Sequence, residues 1–535
     1  MTPMDTAPTI ADWMAASGVA FGTSGARGLV RAMTDRVCYA YTRGFLAHMA
    51  ACGEFAPGGR VALAGDLRPS TPRILRACAQ AVQDAGGAVE YCGAVPTPAL
   101  CRHAYAHGMP SLMVTGSHIP DDRNGIKFNR ARGEFLKSDE AAMLPLRVAV
   151  DEAKFDADGM LRAPAALPPA TDVATDYVAR YVDFFGEGAL RGLRLGVYQH
   201  SAVGRDILVR LLEELGADVI ALGRSETFVP VDTEAVRGED AVLAYGWTGG
   251  YGLDALLSTD GDSDRPLLAD EHGAWLRGDV LGIVAARWLG AQAVATPVSS
   301  NTALEAAGFA ADVRRTRIGS PYVVAAMQEA VAAGVSPVAG FEANGGFLLG
   351  TAVVRQGRRL AALPTRDAVL PMLCALVAAR EAGRSLSALL ATLPARYTAS
   401  ERLQNMPTAI SEQRLAALRA PGGMAVAEDL FGALCGAPAG MDFTDGVRMT
   451  FAGSDVVHLR PSGNAPELRV YVEAATPARA AELVAAGMGV LRAWRPESPI
   501  ERGSERASRE IARKTGVESP RCRRRPPPIS SSRGP

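Results

Sequence analysis

The stretch RVALAGDLRPSTPRILRACAQAVQDAGGAVEYCG, residues 60–93, opens on an apolar β-rich run, passes through a polar turn and continues as an Ala/Leu-rich helical segment. The same order returns at 193–223, LRLGVYQHSAVGRDILVRLLEELGADVIALG. It returns again at 291–309, AQAVATPVSSNTALEAAGF, with TRIGSPYVVAAMQEAVAAGVSPVAGFE behind it at 316–342. Short runs such as VALAG, LRLGVY and AVATPV, each followed by a helix, are what parallel strands with crossover helices look like. The repetition is of architecture rather than of residue identity, and it predicts a recurring α/β unit. After about Gly383 the texture changes. Residues 445–494, DGVRMTFAGSDVVHLRPSGNAPELRVYVEAATPARAAELVAAGMGVLRAW, alternate short strands with one closing helix, which predicts a smaller α+β module.

The chain around these repeats has 535 residues, a net charge of -1 and 48% hydrophobic residues. That length suggests about three or four domains, and the apolar fraction excludes wholesale disorder. The balanced charge argues against a nucleic-acid binder. No run approaches the roughly 18 consecutive apolar residues of a membrane span, and the acidic N-terminus is a poor signal peptide. Eight cysteines without a CxxC pair read as reduced thiols, so a cytoplasmic protein is expected. Residues 495–535 carry a CRRRPPP run, a Ser-rich end and an excess of six positive charges, and read as a disordered tail. An arm for nucleic acid or a membrane surface is the sharper alternative.

Five loops carry residue types that suit phosphate and sugar chemistry. In Thr115-Gly116-Ser117-His118-Ile119-Pro120, a strand runs into a turn with a serine on it, and Lys127 follows to balance phosphate charge. Taken alone, the Ser-His pair reads more simply as a turn cap at Ser117 and a solvated histidine at His118. Asp260-Gly261-Asp262-Ser263-Asp264-Arg265 places three carboxylates at alternate positions, a pattern for Mg²⁺ or Ca²⁺. An EF-hand is disfavoured because Arg265 stands where that loop needs glycine, and the flank LDALLST is strand-like. A metal-free acidic turn is the bland alternative, opposed by the mutual repulsion of three carboxylates. Gly340-Phe341-Glu342-Ala343-Asn344-Gly345-Gly346 could present an acceptor and an amide to a polyol. Arg460-Pro461-Ser462-Gly463-Asn464 offers a cationic fork, a hydroxyl and an amide, a compact phosphate receptor. Near the start, Phe21-Gly22-Thr23-Ser24-Gly25-Ala26-Arg27-Gly28 again suits close approach to an anion, while no GxxxxGK[ST] is present.

In this order and spacing the set resembles the α-D-phosphohexomutase family and, within it, the phosphomannomutases, over roughly residues 18–494. The resemblance implies three related α/β domains with mixed sheets plus a smaller C-terminal α+β domain around a central cleft. The boundaries expected are 1–152, 153–275, 276–384 and 385–494, with the tail beyond. It implies that Ser117 carries a phosphoryl group and that Asp260, Asp262 and Asp264 hold one Mg²⁺ together with Ser117. Glu342 and Asn344 would read the sugar, and Arg460, Ser462, Gly463 and Asn464 the distal phosphate. Arg27, His118, Lys127 and Arg265 would surround the reacting group, with His118 and Lys127 both open as the base. The implied activity is a phosphosugar mutase moving phosphate between O6 and O1 of a hexose through a bisphosphorylated sugar, which also serves as activator. Mannose phosphate is the expected substrate, and glucose or glucosamine phosphate the alternatives. A non-catalytic sugar-phosphate binder is the rival from another class.

The chain departs from the family pattern at Asn464-Ala465 where Thr-Glu is usual, at Asn344-Gly345-Gly346 where Ser-Gly-His is usual, and at Ile119 where Asn is usual. Three lesser features have simpler readings. His103 and His107 are expected to be surface histidines, LPTRDAVLPML to open a helix with Arg366 and Asp367 in an ion pair or cap, and Thr316–Gly319 to line the cleft between the second and third domains.

Overall fold

The computed structural model describes residues 6–22, 25–462 and 466–495. Each of the three sequence repeats folds into a mixed sheet with one strand order. In the first, the parallel strands Arg60–Gly65, Ala88–Tyr91 and Ser111–Val114 are followed by the antiparallel Arg123–Arg130, with Arg60–Gly65 lying between the other two parallel strands. In the second, Arg194–His200 lies between Asp218–Arg224 and Ala255–Thr259, and Pro266–Ala269 returns antiparallel. In the third, Ala293–Pro297 lies between Asp312–Thr316 and Val338–Phe341, and Phe347–Leu349 returns antiparallel. The central strands are buried almost throughout, which explains their unbroken apolar runs.

The crossover helices follow from apolar periodicity. Thr71–Asp84 buries Ile74, Leu75, Cys78 and Val82, a stripe at helical spacing, behind a proline in its first turn. Arg205–Glu214 does the same with Leu208, Leu211 and Leu212. One shared apolar core joins the three units, drawing on Ala62 and Leu100, on Val178 and Leu257, and on Val294 and Phe341. The short helix Leu386–Leu390 packs Leu386 into that same core.

The C-terminal unit is a five-stranded antiparallel sheet, ordered Tyr397–Gln404, Glu467–Ala474, Val456–Pro461, Val447–Phe451 and Pro438–Asp442. It is closed by the helix Pro477–Trp494, and its core draws only on residues 403–494. Among the described residues no helix is long and apolar enough to cross a membrane. The seven described cysteines are free thiols. Cys522 and the rest of the expected disordered tail lie outside the described residues, save Arg495.

The topology puts the chemistry in equivalent places. The serine loop, the metal loop and the sugar loop each connect the third parallel strand of a unit to its antiparallel return. One hairpin position, repeated three times, therefore supplies three different functional groups to one centre.

Candidate active site

Ser117 leaves the strand Ser111–Val114 fully buried, with φ at 58°, a left-handed conformation that side chains with a β-carbon rarely adopt. Its backbone N–H donates to Thr115 Oγ1 at 2.8 Å, and Thr115 in turn donates to Asp66 Oδ2 at 2.7 Å. Beneath the loop lies Arg68, 1% exposed, whose Nε donates to Asp66 Oδ2 at 3.0 Å. Its Nη2 donates to the carbonyls of Ser117 and Ile119 at 2.8 and 2.6 Å. Its Nη1 reaches the carbonyls of Pro120 and Arg123 at 2.9 and 3.3 Å. A guanidinium satisfying four loop carbonyls in this way fixes the turn that strains Ser117.

The serine Oγ donates to Asp260 Oδ2 at 2.5 Å, and His118 Nδ1 lies 3.3 Å away. Asp260 belongs to the second unit, so the serine and metal loops meet across a unit boundary. Gly261 makes that approach possible, because a β-carbon there would stand 2.6 Å from the Ser117 carbonyl oxygen. Asp260, Asp262 and Asp264 are all fully buried, and their ligand atoms lie within 4.8 Å of one another. Lys127 Nζ donates to Asp262 Oδ2 and Asp264 Oδ2, each at 2.5 Å, and Thr97 Oγ1 also donates to Asp262 Oδ2.

Among the described residues two carboxylate oxygens, Asp262 Oδ1 and Asp264 Oδ1, are buried without a hydrogen-bond partner, the second having Arg265 Nε at ion-pair range, 3.7 Å. Burial, with Asp262 and Asp264 adding to it, pushes the Asp260 carboxyl up to about 8. Burial would also raise Asp264, but Arg366, Lys127 and Arg265 hold it well below the usual carboxylate range. Hard oxygen donors, two of them unpartnered, in a site that resists three negative charges are what a divalent oxygen-ligated cation requires. The residues fit Mg²⁺.

Guanidiniums crowd the same centre. Arg265 Nη1 donates to His118 Nδ1 at 2.8 Å. Burial, and then Arg265, depress the His118 imidazole to about 3, so it is neutral with Nδ1 as acceptor. Arg27, on the strand Ala26–Leu29 beside the Lys127 strand, has a buried Nε without a hydrogen-bond partner among the described residues. Burial, then Arg265 and Arg366, bring its pKa down to about 10. Cations packed this closely favour an anion between them.

The sugar loop reaches the same place. Glu342 is 3% exposed and Asn344 8%. The Asn344 side chain accepts from Gly346 N–H at 3.0 Å, and its carbonyl accepts from Thr233 of the second unit at 2.7 Å. Arg460 lies on the C-terminal unit, its Nε 2.8 Å from Asp445 Oδ2, and Ser462 N–H donates to the Glu467 carbonyl at 2.8 Å. Gly463 and Asn464 lie outside the described residues, as do Thr23 and Ser24.

The comparisons follow this geometry unit by unit. Residues 18–151, 175–273 and 277–397 match the phosphoglucomutase/phosphomannomutase α/β/α domains I, II and III, and 407–488 match the C-terminal domain. A phosphomannomutase of Sinorhizobium fredii is 45% identical over 475 residues, covering 89% of this chain and 99% of that one. The chain belongs to the phosphoglucomutase/phosphomannomutase family. It is a phosphosugar mutase, an isomerase by reaction class. A phosphomannomutase of Salmonella muenchen is also 45% identical, over 88% of this chain and 94% of its own. The fold is shared with a family protein of Burkholderia thailandensis, with a TM-score of 0.66 at 20% identity, covering 89% of this chain and 98% of that one.

Several mutase residues were not legible as such. Arg68, Asp66, Thr115 and Thr97 support the serine and aspartate loops; the D-x-R at the end of strand VALAG was the only local signal. Two expectations need correction. His103 is 9% exposed rather than at the surface, and its Nε2 meets Glu90 Oε1 at 2.5 Å. LPTRD forms the strand Leu363–Asp367, and the helix opens only at Val369, whose N–H donates to Asp367 Oδ1. The Thr316–Gly319 segment also touches the C-terminal unit, where Ile318 N–H donates to Asp445 Oδ2 at 2.9 Å. Arg366 and Asp367 do serve as ion-pair and capping groups. A second His/Cys/Asp group, His48, Cys52 and Asp139, is closed by Arg130 Nη1, 3.2 Å from the Asp139 oxygen that His48 also binds.

Proposed function

We propose that the protein interconverts mannose 6-phosphate and mannose 1-phosphate through a phosphoserine at Ser117. What carries this reading is the meeting of a left-handed, buried Ser117 with Asp260 at 2.5 Å, beside two unpartnered carboxylate oxygens on Asp262 and Asp264. Asp260, Asp262, Asp264 and the phosphorylated Ser117 would hold one Mg²⁺. When bound, it supplies positive charge that steadies the phosphoryl oxygens during transfer.

The chain's own groups do the rest. The Ser117 Oγ–P bond breaks as a sugar hydroxyl oxygen forms its bond to the same phosphorus. The hydroxyl proton passes to a nitrogen base, for which His118, 3.3 Å from the serine, and Lys127, held by Asp262 and Asp264, are the two candidates. Arg27 and Arg265 neutralise the charge on the transferring group. Glu342 and Asn344 hold the hexose hydroxyls, while Arg460, Ser462, Gly463 and Asn464 grip the phosphate at the other end. The bisphosphorylated hexose then turns, so that its second phosphate returns to Ser117. The same bisphosphate, added from outside, primes the serine as activator.

This reading divides the chain at 152, 275 and 384, with 385–494 as the unit closing the cleft and 495–535 as an appendage. It places the protein in the cytoplasm, in keeping with seven free thiols. A coupled assay on mannose, glucose and glucosamine 1-phosphates, with hexose bisphosphate and Mg²⁺ present, tests it. Highest kcat/KM on mannose 1-phosphate is expected. Turnover without a gain of ~80 Da at Ser117, the mass of one phosphoryl group, would remove the covalent route.

A further inference from the structure

Arg366 leaves the strand Leu363–Asp367 and runs across Gly346, at the base of the sugar loop. A β-carbon on Gly346 would stand 2.7 Å from Arg366 Cδ, so any other residue there would obstruct the arginine's path. Beyond the glycine the guanidinium forks. Its Nη1 lies 3.4 Å from Glu342 Oε2 in the sugar loop, and its Nη2 lies 3.0 Å from Asp264 Oδ2 in the metal loop. The Arg366, Glu342 and Asp264 side chains are 2%, 4% and 0% exposed, so water screens neither pair effectively. With Lys127 and Arg366 both on Asp264 Oδ2, the carboxylate is pinned by one oxygen, and its Oδ1 has no hydrogen bond among the described residues.

We infer that Arg366 is a positioning residue that couples the sugar loop to the metal loop, so that hexose phosphate and divalent cation each tighten the other's binding. The inference rests on the proposed roles of Glu342 and Asp264. A sugar hydroxyl at Glu342 redistributes that carboxylate's hold on Arg366, and the rigid fork passes the change to Asp264. Coupling of this kind is reciprocal between the two ligands. It depends on the planar two-edged geometry of arginine rather than on charge alone, which lysine would also supply.

The test uses full-length enzyme freed of phosphoserine, which cannot turn over, with Mn²⁺ binding read by electron paramagnetic resonance with and without mannose 6-phosphate. In the parent enzyme, the sugar phosphate should tighten Mn²⁺ by about 5-fold or more. Arg366→Lys should keep Mn²⁺ affinity alone within about 3-fold, but lower the sugar-induced gain to under about 2-fold. Arg366→Gln should lose the gain and also weaken Mn²⁺ itself by about 10-fold. A purely structural arginine would shift Tm without touching the gain. The parent's gain surviving in a folded Arg366→Lys enzyme overturns the inference, as does a parent enzyme that binds both ligands independently. Should Arg366→Gln fail to fold, Arg366→Lys decides alone. A parent enzyme that takes Mn²⁺ but no hexose phosphate defeats the substrate reading instead, an outcome distinct from independent binding.

Discussion

The first three units and the C-terminal unit are held together in different ways. The three α/β units share one continuous apolar cluster, in addition to clusters of their own around Phe45, Leu256 and Val323, whereas the C-terminal unit's core takes residues only from 403 onward and has no part in the shared one. Its polar ties to the third unit include Ile318 to Asp445 and Thr302 N–H to Glu473 Oε2 at 3.0 Å. Asn301 adds a hydrogen bond to the Arg396 carbonyl at 2.8 Å. Groups that must meet within hydrogen-bond distance, Ser117, the aspartates and Lys127, thus sit where packing leaves little freedom. The arginine assigned to the far phosphate sits on a unit with its own core. A mutase must fix the reacting phosphoryl group but admit and release a sugar in two orientations, and the division of the cores matches that division of labour.

The comparison predicts that damage to the welded centre strikes the chemical step and damage to the outer unit strikes binding. Ser117→Ala should lower turnover by on the order of 10⁴-fold or more, with Tm unchanged and no phosphoryl mass gained from hexose bisphosphate. Appreciable residual turnover would mean the buried centre is not where the covalent bond forms. Asp262→Asn keeps the shape of the loop but removes one of three charges. A rate loss of about 10²-fold is expected, with a raised Mg²⁺ requirement in a metal titration. A loss of rate at unchanged Mg²⁺ requirement would assign Asp262 to holding Lys127 instead. Arg460→Ala should cost about 2–3 kcal/mol in kcat/KM, almost all of it in KM. A drop in kcat of the same size would show that the outer unit takes part in the chemistry and would erase the contrast.

How much of this was readable in advance follows the same division. The short loops declared themselves because their side chains act from one hairpin position each, with partners a few residues away in the motif. Asp260, Asp262 and Asp264 need no tertiary knowledge to suggest a cation. Arg68 showed only through Asp66 two residues before it, since its other partners are backbone carbonyls about 50 residues distant, which carry no sequence signal; Arg366 read as half of an ion pair or cap, but its partner Asp264 lies about 100 residues away. The strand Leu363–Asp367 is only five residues long, too short for its alternation to outweigh the helical run behind it. The hydrogen bond from Thr316–Gly319 to the fourth unit was not legible for a related reason. Local pattern predicts a loop at the end of a strand, but which unit that loop faces is decided by how whole domains pack.

A pH effect on two buried histidines offers the most direct test of whether the fourth unit stands apart. His200, in the second unit, shares a hydrogen bond through Nε2 with the Thr259 carbonyl at 2.9 Å, and His458, in the C-terminal unit, does so with the Asp445 carbonyl. Burial depresses both imidazoles to about 4 from an ordinary 6.5. Above pH 6.5 both are neutral, folded or unfolded, and neither affects the balance. As pH falls from 6.5 toward 4, the unfolded chain takes up a proton that the folded one refuses, so stability is lost across that window. Each histidine accounts for at most about 3 kcal/mol of that loss. If the C-terminal unit melts on its own core, calorimetry at pH 4.5 should resolve two transitions. His458→Gln should then raise only the one belonging to that unit, and His200→Gln only the other. A single transition that both substitutions move equally would mean that the polar ties at Ile318, Thr302 and Asn301 weld the fourth unit as firmly as the shared core welds the first three.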